Sequence, residues 1–255
     1  MDKQCCNSFN RLELMVGEKT LSAISSSRVA VFGVGGVGSW CAESLVRSGV
    51  RRMTLVDADK VCETNVNRQL MATTKTIGRV KVEALAERLR DINPDAELEL
   101  RAQIYDASTA DSFDLAAFDY VIDAIDSLES KALLIRRALA VPTATLFSSM
   151  GAAVKMDPFQ VRQSEFRKVE GDGLARALRR KFRLTGGIPE RRFICVWSPE
   201  HRENIASAAA VEDGAAQFGK VRVNGTVAHT TAIFGFALAG LVISDIERRS
   251  QSIGA

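Results

Sequence analysis

The chain has 255 residues, 46% hydrophobic and 25% charged, the composition of an ordinary globular protein able to bury one large core. Its formal charge of +3 permits a nucleic-acid partner without demanding one. Five cysteines, Cys5, Cys6, Cys41, Cys62 and Cys195, are an odd number with no C-x-x-C pair, which argues against a disulfide scaffold and a thiolate zinc site and fits a reducing cytoplasm. The opening MDKQCCNSFNRLELMVGEK has no apolar run of signal-peptide length, so a cytoplasmic location is the expectation.

Arg28 to Phe32, RVAVF, is a β-branched apolar run followed at once by GVGGVG and then by a helical pattern, SWCAESLVRSG. The order is strand, glycine turn, helix. A second strand, Met53 to Val56, ends in Asp57, about 20 residues beyond the glycines, as in a nucleotide-binding βαβ unit. Gly33 and Gly35 allow a tight turn and close approach of a ligand, Gly36 completes the run, and Gly38 lets helix pack on strand. The helix N-terminus favours an anion and Asp57 suits ribose hydroxyls.

This fingerprint serves nicotinamide, flavin and ATP enzymes alike. The residues after the second strand separate them. A nicotinamide enzyme continues into another helix, whereas here DADKVCETNVNRQL gathers Asp59, Asn65, Asn67, Arg68 and Gln69. A polar segment beside a glycine crevice calls for a charged ligand. Two other stretches read both ways from the chain alone: Lys81 opens the amphipathic KVEALAERLR, and Asp123 and Asp126 stand where they would cap a helix starting near Ser127.

The series GVGGVG, LVDADKVCETNVNRQL, IGRVKVEALAERLRDINP and VIDAIDSLESK, in order and with spacing kept, resembles the adenylating domain of E1-like enzymes. The resemblance runs from about Arg11 to the C-terminal helix. It implies ATP and Mg²⁺ as cofactors, with Asn67, Arg68, Gln69 and Lys81 around the phosphates and Asp57 on the ribose. It further implies Asp126 at the magnesium-bound phosphates, Asp59, Asn65 and Asp123 lining the site, and Arg11 lent to the neighbouring subunit of a homodimer. Attack of a weakly nucleophilic carboxylate on the α-phosphate adds charge to phosphoryl oxygens, and cations such as Arg68, Lys81 and Arg11 answer that need.

Sulfur-carrier activators typically carry two C-x-x-C pairs and other E1-like enzymes a crossover cysteine; neither is evident here. The INP motif, DAIDS, VWSPE and the FGF-containing last helix instead resemble the tRNA threonylcarbamoyladenosine dehydratases. That branch implies ATP-dependent cyclisation of N6-threonylcarbamoyladenosine beside the anticodon of tRNA, through an acyl-adenylate of the threonine carboxylate. A sulfur-carrier activator and a nicotinamide oxidoreductase are the competing readings, and a protein of a sulfur-transfer system is a further expected partner.

The fold expectation is α/β, a Rossmann-like, mostly parallel sheet with helices on both faces. Residues 1–27 form an N-terminal helical segment, 28–165 the adenylation domain, and 166–255 a substrate or RNA-binding extension with the last helix. In that extension ARALRRKFRLTGGIPERRF gathers Arg176, Arg179, Arg180, Lys181, Arg183, Arg191 and Arg192 with Phe182 and Phe193 interleaved. Basic charge with stacking faces suits a tRNA loop, while Leu174, Leu178 and Phe182 at helical spacing equally suit a packed helix with a solvated basic face. Cys195 between Ile194 and Val196 reads as core filler, His201 and His229 as structural, and 199–220 as a mobile loop. The apolar stretch from Thr226 to Ile246 reads as a buried helix, with membrane association left open.

Overall fold

The computed structural model describes residues 8–206 and 224–252. Most of the expected 199–220 loop, from residue 207 on, lies outside the described residues.

The first seven residues of helix, α1 (Asn10–Val16), stop at Gly17, whose φ of +80° breaks the axis before α2 (Glu18–Ser26). Within the described residues, the N-terminal helical segment is thus two helices. The strands follow the apolar runs. β1 (Arg28–Phe32), β2 (Arg52–Val56), β4 (Tyr120–Asp123) and β5 (Thr145–Ser149) are buried along nearly their whole length, as strands covered on both faces must be. The edge strands β3 (Glu97–Arg101, ELELR) and β6 (Arg162–Glu165, RQSE) are polar instead, which protects open edges from foreign pairing.

The sheet order is β3-β2-β1-β4-β5-β7-β6, with β7 at Ile194–Trp197. All pairs are parallel except β6 with β7. The order turns back between β1 and β4, the switch point beyond whose carboxyl ends such sheets bind ligands. β7 and β6 add to the same sheet from opposite sides of the 165/166 boundary, so the extension continues the sheet.

Alternation along β1 sends Val29 and Val31 to one core layer and Ala30 and Phe32 to the other. The first layer is closed by α3 (Gly38–Arg47), α4 (Lys81–Ile92) and α7 (Ala228–Ser252), the second by α5 (Leu128–Ala140) and α6 (Gly173–Leu184). α7 is the late apolar stretch. It is long and apolar enough to cross a bilayer, yet 56% of its most apolar window is buried, against α3, α2 and the sheet. Buried polar ties from Ser250 to Thr20 (2.8 Å) and from Tyr120 to Asp245 (3.0 Å) fix its far end.

The α3–α7 crossing depends on Gly235, where a Cβ would stand 2.5 Å from the Val37 carbonyl oxygen and 2.8 Å from Cys41 N. Gly235→Ala is expected to cost about 1–3 kcal/mol in urea unfolding through overpacking. Gly240→Ala on the same helix, where a Cβ meets nothing within 4 Å, is expected to gain up to about 1 kcal/mol. Equal effects at the two positions would contradict this packing.

Candidate active site at the carboxyl edge of the sheet

Four segments converge on one crevice: those leaving the carboxyl ends of β1, β2 and β4, and the N-terminus of α7. The glycine run after β1 is its floor. Gly33 has φ +82°, and a Cβ there would sit 2.7 Å from the Ala124 carbonyl oxygen; one on Gly38 would overlap Gly33 O. A Cβ on Gly36 would press on Arg68 Cγ and on Thr231 of α7 at 3.3–3.4 Å, whereas at Gly35 it would meet only Gln69 Nε2, at 3.8 Å, and otherwise enter open space. Gly35 is therefore the position where backbone is bare to a ligand.

Asp57, at the end of β2, accepts from Val34 N–H (2.9 Å) and from Asp59 N–H (2.9 Å), which ties the second strand to the glycine turn. Burial pushes its carboxyl upward, Lys81 draws it back, and Asp59 adds to the rise. Lys81 is buried, its ammonium 2.7 Å from Asp59 Oδ2. It is therefore a held cation beside the crevice, and its surface reading is set aside.

The segment after β2 turns through a short 3₁₀ helix at Glu63–Asn65. Asn65 is buried and accepts from Cys62 N–H (3.1 Å), shaping the turn. Arg68 donates to Thr64 O (2.8 Å) and Asn67 Oδ1 (3.0 Å), while its carbonyl accepts from the Trp40 indole (3.1 Å). Asn67 donates to Thr226 O (2.9 Å). Gln69 is buried against Gly35 with its Oε1 lacking a hydrogen-bond partner, and an orphaned buried acceptor beside bare backbone fits a ligand donor.

Beyond β4, Asp126 is exposed, two residues past Ala124, whose backbone abuts Gly33 on the crevice floor. Asp123 differs from expectation. Its side chain is fully buried against Lys131 (2.7 Å) and Ser148 (2.6 Å), so it has no surface to offer a nucleotide and does not cap α5. The N-cap position of that helix is Ser127, which forms no side-chain cap bond. Arg11 is also remote. It is exposed on α1, which packs through Phe9 at Gly49 beyond the far end of α3, a helix of 10 residues and hence about 15 Å long.

The basic segment is corrected in part. Phe182 and Phe193 are buried in the second core layer and cannot stack on bases, because Ala175, Leu178 and Phe182 form the inward face of α6. Arg179 donates to Phe166 O and Val169 O, and Arg191 to Ala144 O (2.8 Å) and its neighbours, so both clamp loops. Arg176, Arg180, Arg183 and Arg192 remain exposed. Cys195 is wholly buried, and burial pushes its thiol well up, away from the thiolate that nucleophilic chemistry needs. His229 bonds Met156 O (2.8 Å) and His201 is exposed.

Sequence reasoning missed Thr226 and Thr231, which bring the start of α7 to the site, and Ser39, whose hydroxyl joins Gly35 O (2.6 Å) to Leu70 N–H (3.3 Å). No local pattern marks these; only the fold brings them in.

The chain matches the ThiF family over residues 9–252. It is 44% identical to the tRNA threonylcarbamoyladenosine dehydratase of Bacillus subtilis over 70% of each chain, and 33% identical to that of Escherichia coli over 89% of each. Crystal structures of the E. coli enzyme with AMP and with ATP superpose with TM-scores of 0.84 and 0.81, at 31% identity over 96% of both chains. The E. coli protein MccB, at 16% identity and TM-score 0.62, shares the fold alone.

Because Asp57 binds its proton more tightly folded than unfolded, stability falls as pH rises between the ordinary and raised values. Asp57→Asn removes this titration. The stability of the variant relative to the parent is therefore expected to grow from about pH 4 to pH 7, measured by urea unfolding; a difference that shrinks would contradict the burial effect.

Proposed function

The chain belongs to the ThiF family, and on that premise we propose that it is an ATP-dependent tRNA N6-threonylcarbamoyladenosine dehydratase. The observation that carries this is the match to the E. coli dehydratase along 96% of both chains, together with a crevice whose bare Gly35 backbone, orphaned Gln69 Oε1 and held Lys81 suit a nucleotide. ATP is a co-substrate in this reaction. The carboxylate of the threonine side chain attacks the α-phosphate and pyrophosphate leaves; the carbamoyl group of the same side chain then attacks the acyl carbon and AMP departs, with net loss of one water from the base.

The residues divide the work by charge and reach. Asp57 suits the ribose hydroxyls, the glycine backbone and the Gln69 amide N–H the phosphate chain, the Gln69 Oε1 acceptor a donor such as a nucleoside hydroxyl or amino group, and Lys81 with Arg68 the charge that grows on phosphoryl oxygens. Asp126 is the residue that would hold Mg²⁺, which when bound neutralises the leaving pyrophosphate. One exposed carboxylate fits a hard cation whose other ligands are phosphate oxygens and water. Because Arg11 is far from its own crevice, its part is in a partner's, so the working unit in this reading is a homodimer in the cytoplasm. The exposed Arg176, Arg180, Arg183 and Arg192 serve tRNA phosphates.

The attacking group is tethered to the electrophile, so proximity replaces a protein nucleophile, in keeping with the buried Cys195. Activation of a sulfur-carrier protein is not favoured, since the relatives matched over two thirds or more of this chain are dehydratases, and ubiquitin-like modifier-activating enzymes match over less than half of it.

Purified protein incubated with Mg·ATP and tRNA bearing threonylcarbamoyladenosine is expected to convert that nucleoside to a product lighter by one water, read by mass spectrometry after mild digestion. An unchanged nucleoside with ATP bound would overturn the assignment. Arg68→Ala should lower kcat/KM about 10²- to 10³-fold. Cys195→Ala should keep turnover while losing about 1 kcal/mol of stability; loss of turnover in a folded Cys195→Ala protein would revive a covalent carrier.

A further inference from the structure

At the level where β4 ends, a polar group lies sealed in the second core layer. Lys131 of α5 and Asp123 of β4 are both fully buried and 2.7 Å apart. Ser148, opposite Asp123 on β5, donates to the same Oδ2 at 2.6 Å, and Lys131 Nζ reaches Ser148 Oγ at 3.5 Å. The other oxygen, Asp123 Oδ1, accepts from the Ile125 backbone N–H at 3.2 Å. Lys131 is anchored at its backbone as well, its N–H bonding Ser127 O at 2.9 Å.

A buried ion pair is seldom the most stable filling for a core, because desolvation consumes much of its attraction. What this one does distinctively is geometric. It holds the carboxylate that holds Ile125, the residue between Ala124, which abuts Gly33 and Gly38, and the exposed Asp126. We propose that Lys131 and Ser148, which touch no nucleotide, are positioning residues that set the Asp123–Asp126 turn and thereby place the Asp126 carboxylate for magnesium-bound phosphates. The inference rests on the dehydratase reading only in its use of Mg·ATP; the dependence of the turn on the buried pair stands apart from it.

The test is a double-mutant cycle on the full chain, with ATP affinity measured by calorimetry with and without MgCl₂. Ser148→Ala is expected to lose about 3- to 30-fold of the affinity gained from Mg²⁺, and to lose none of it further in an Asp126→Asn background. Metal-free ATP affinity is expected to be unchanged by Ser148→Ala within either background. A loss of equal size in both backgrounds, or no loss in either, would overturn the proposal, since a general packing role is blind to Asp126. Lys131→Met leaves Asp123 buried and unpaired and is expected to fold poorly, so the neutral double variant Lys131→Met with Asp123→Asn is its partner in the cycle. Hydrogen exchange at the Ile125 amide gives the separate readout: protection falls in Ser148→Ala and in the neutral double variant, and unchanged protection would overturn the proposal. A parent chain that binds no ATP would overturn the functional reading instead, and the exchange result would still decide whether the buried pair holds the turn.

Discussion

A Cβ on Gly33 would stand 2.7 Å from the Ala124 carbonyl oxygen, and one on Gly38 would run into Gly33 itself while lying 3.2 Å from the Ala124 methyl. β1, α3 and the turn beyond β4 therefore close on one another through bare backbone, and the rest of the crevice hangs from that contact. It brings the N-terminus of α3 to the switch point of the sheet, and it lets Val34 N–H reach the Asp57 carboxylate. It also presses the Asp123–Asp126 turn against the glycine floor. Side chains at either glycine would push these elements apart by more than a ligand contact can tolerate.

From this anchor the charges arrange themselves in two depths. Lys81 with Asp59, and Arg68 with Asn67, lie at the crevice, held by short bonds so that little reorganisation is needed when phosphoryl charge develops. Lys131 with Asp123 lies beneath, out of reach of any ligand. The upper pair supplies field and the lower pair supplies shape. Asp57 sits between the two regimes: its burial resists the charged form that ribose hydroxyls favour, a strain in charge suited to a site waiting for a polar ligand.

Much of this was legible in the chain. RVAVF, GVGGVG and Asp57 have local signatures because a tight turn and a helix N-terminus need specific residue types within a few positions. The strand order beyond β5 was not, since β7 inserts between β5 and β6 only through contacts distant in sequence. The resemblance implies Asp123 at the nucleotide, yet DAIDS places two carboxylates close together, and nothing local tells which one faces inward. A signal was present all the same: Lys131 shares the 131, 135, 138 face of α5 with Ile135 and Ala138, all buried, and a lysine on an apolar helix face demands an acidic partner beneath it. Phe182 read both ways in the chain, and in the fold its helical spacing with Leu178 places it in the core in spite of its arginine neighbours.

The central chemical claim is that the substrate carboxylate attacks the α-phosphate of ATP. It is tested most directly by labelling the threonine carboxylate of the modified tRNA with ¹⁸O and following the label through one turnover. The account predicts one labelled oxygen in AMP, carried out by the departing group as the ring closes. Label in inorganic phosphate with ADP formed, or label retained in full by the nucleoside while water is lost, would contradict it.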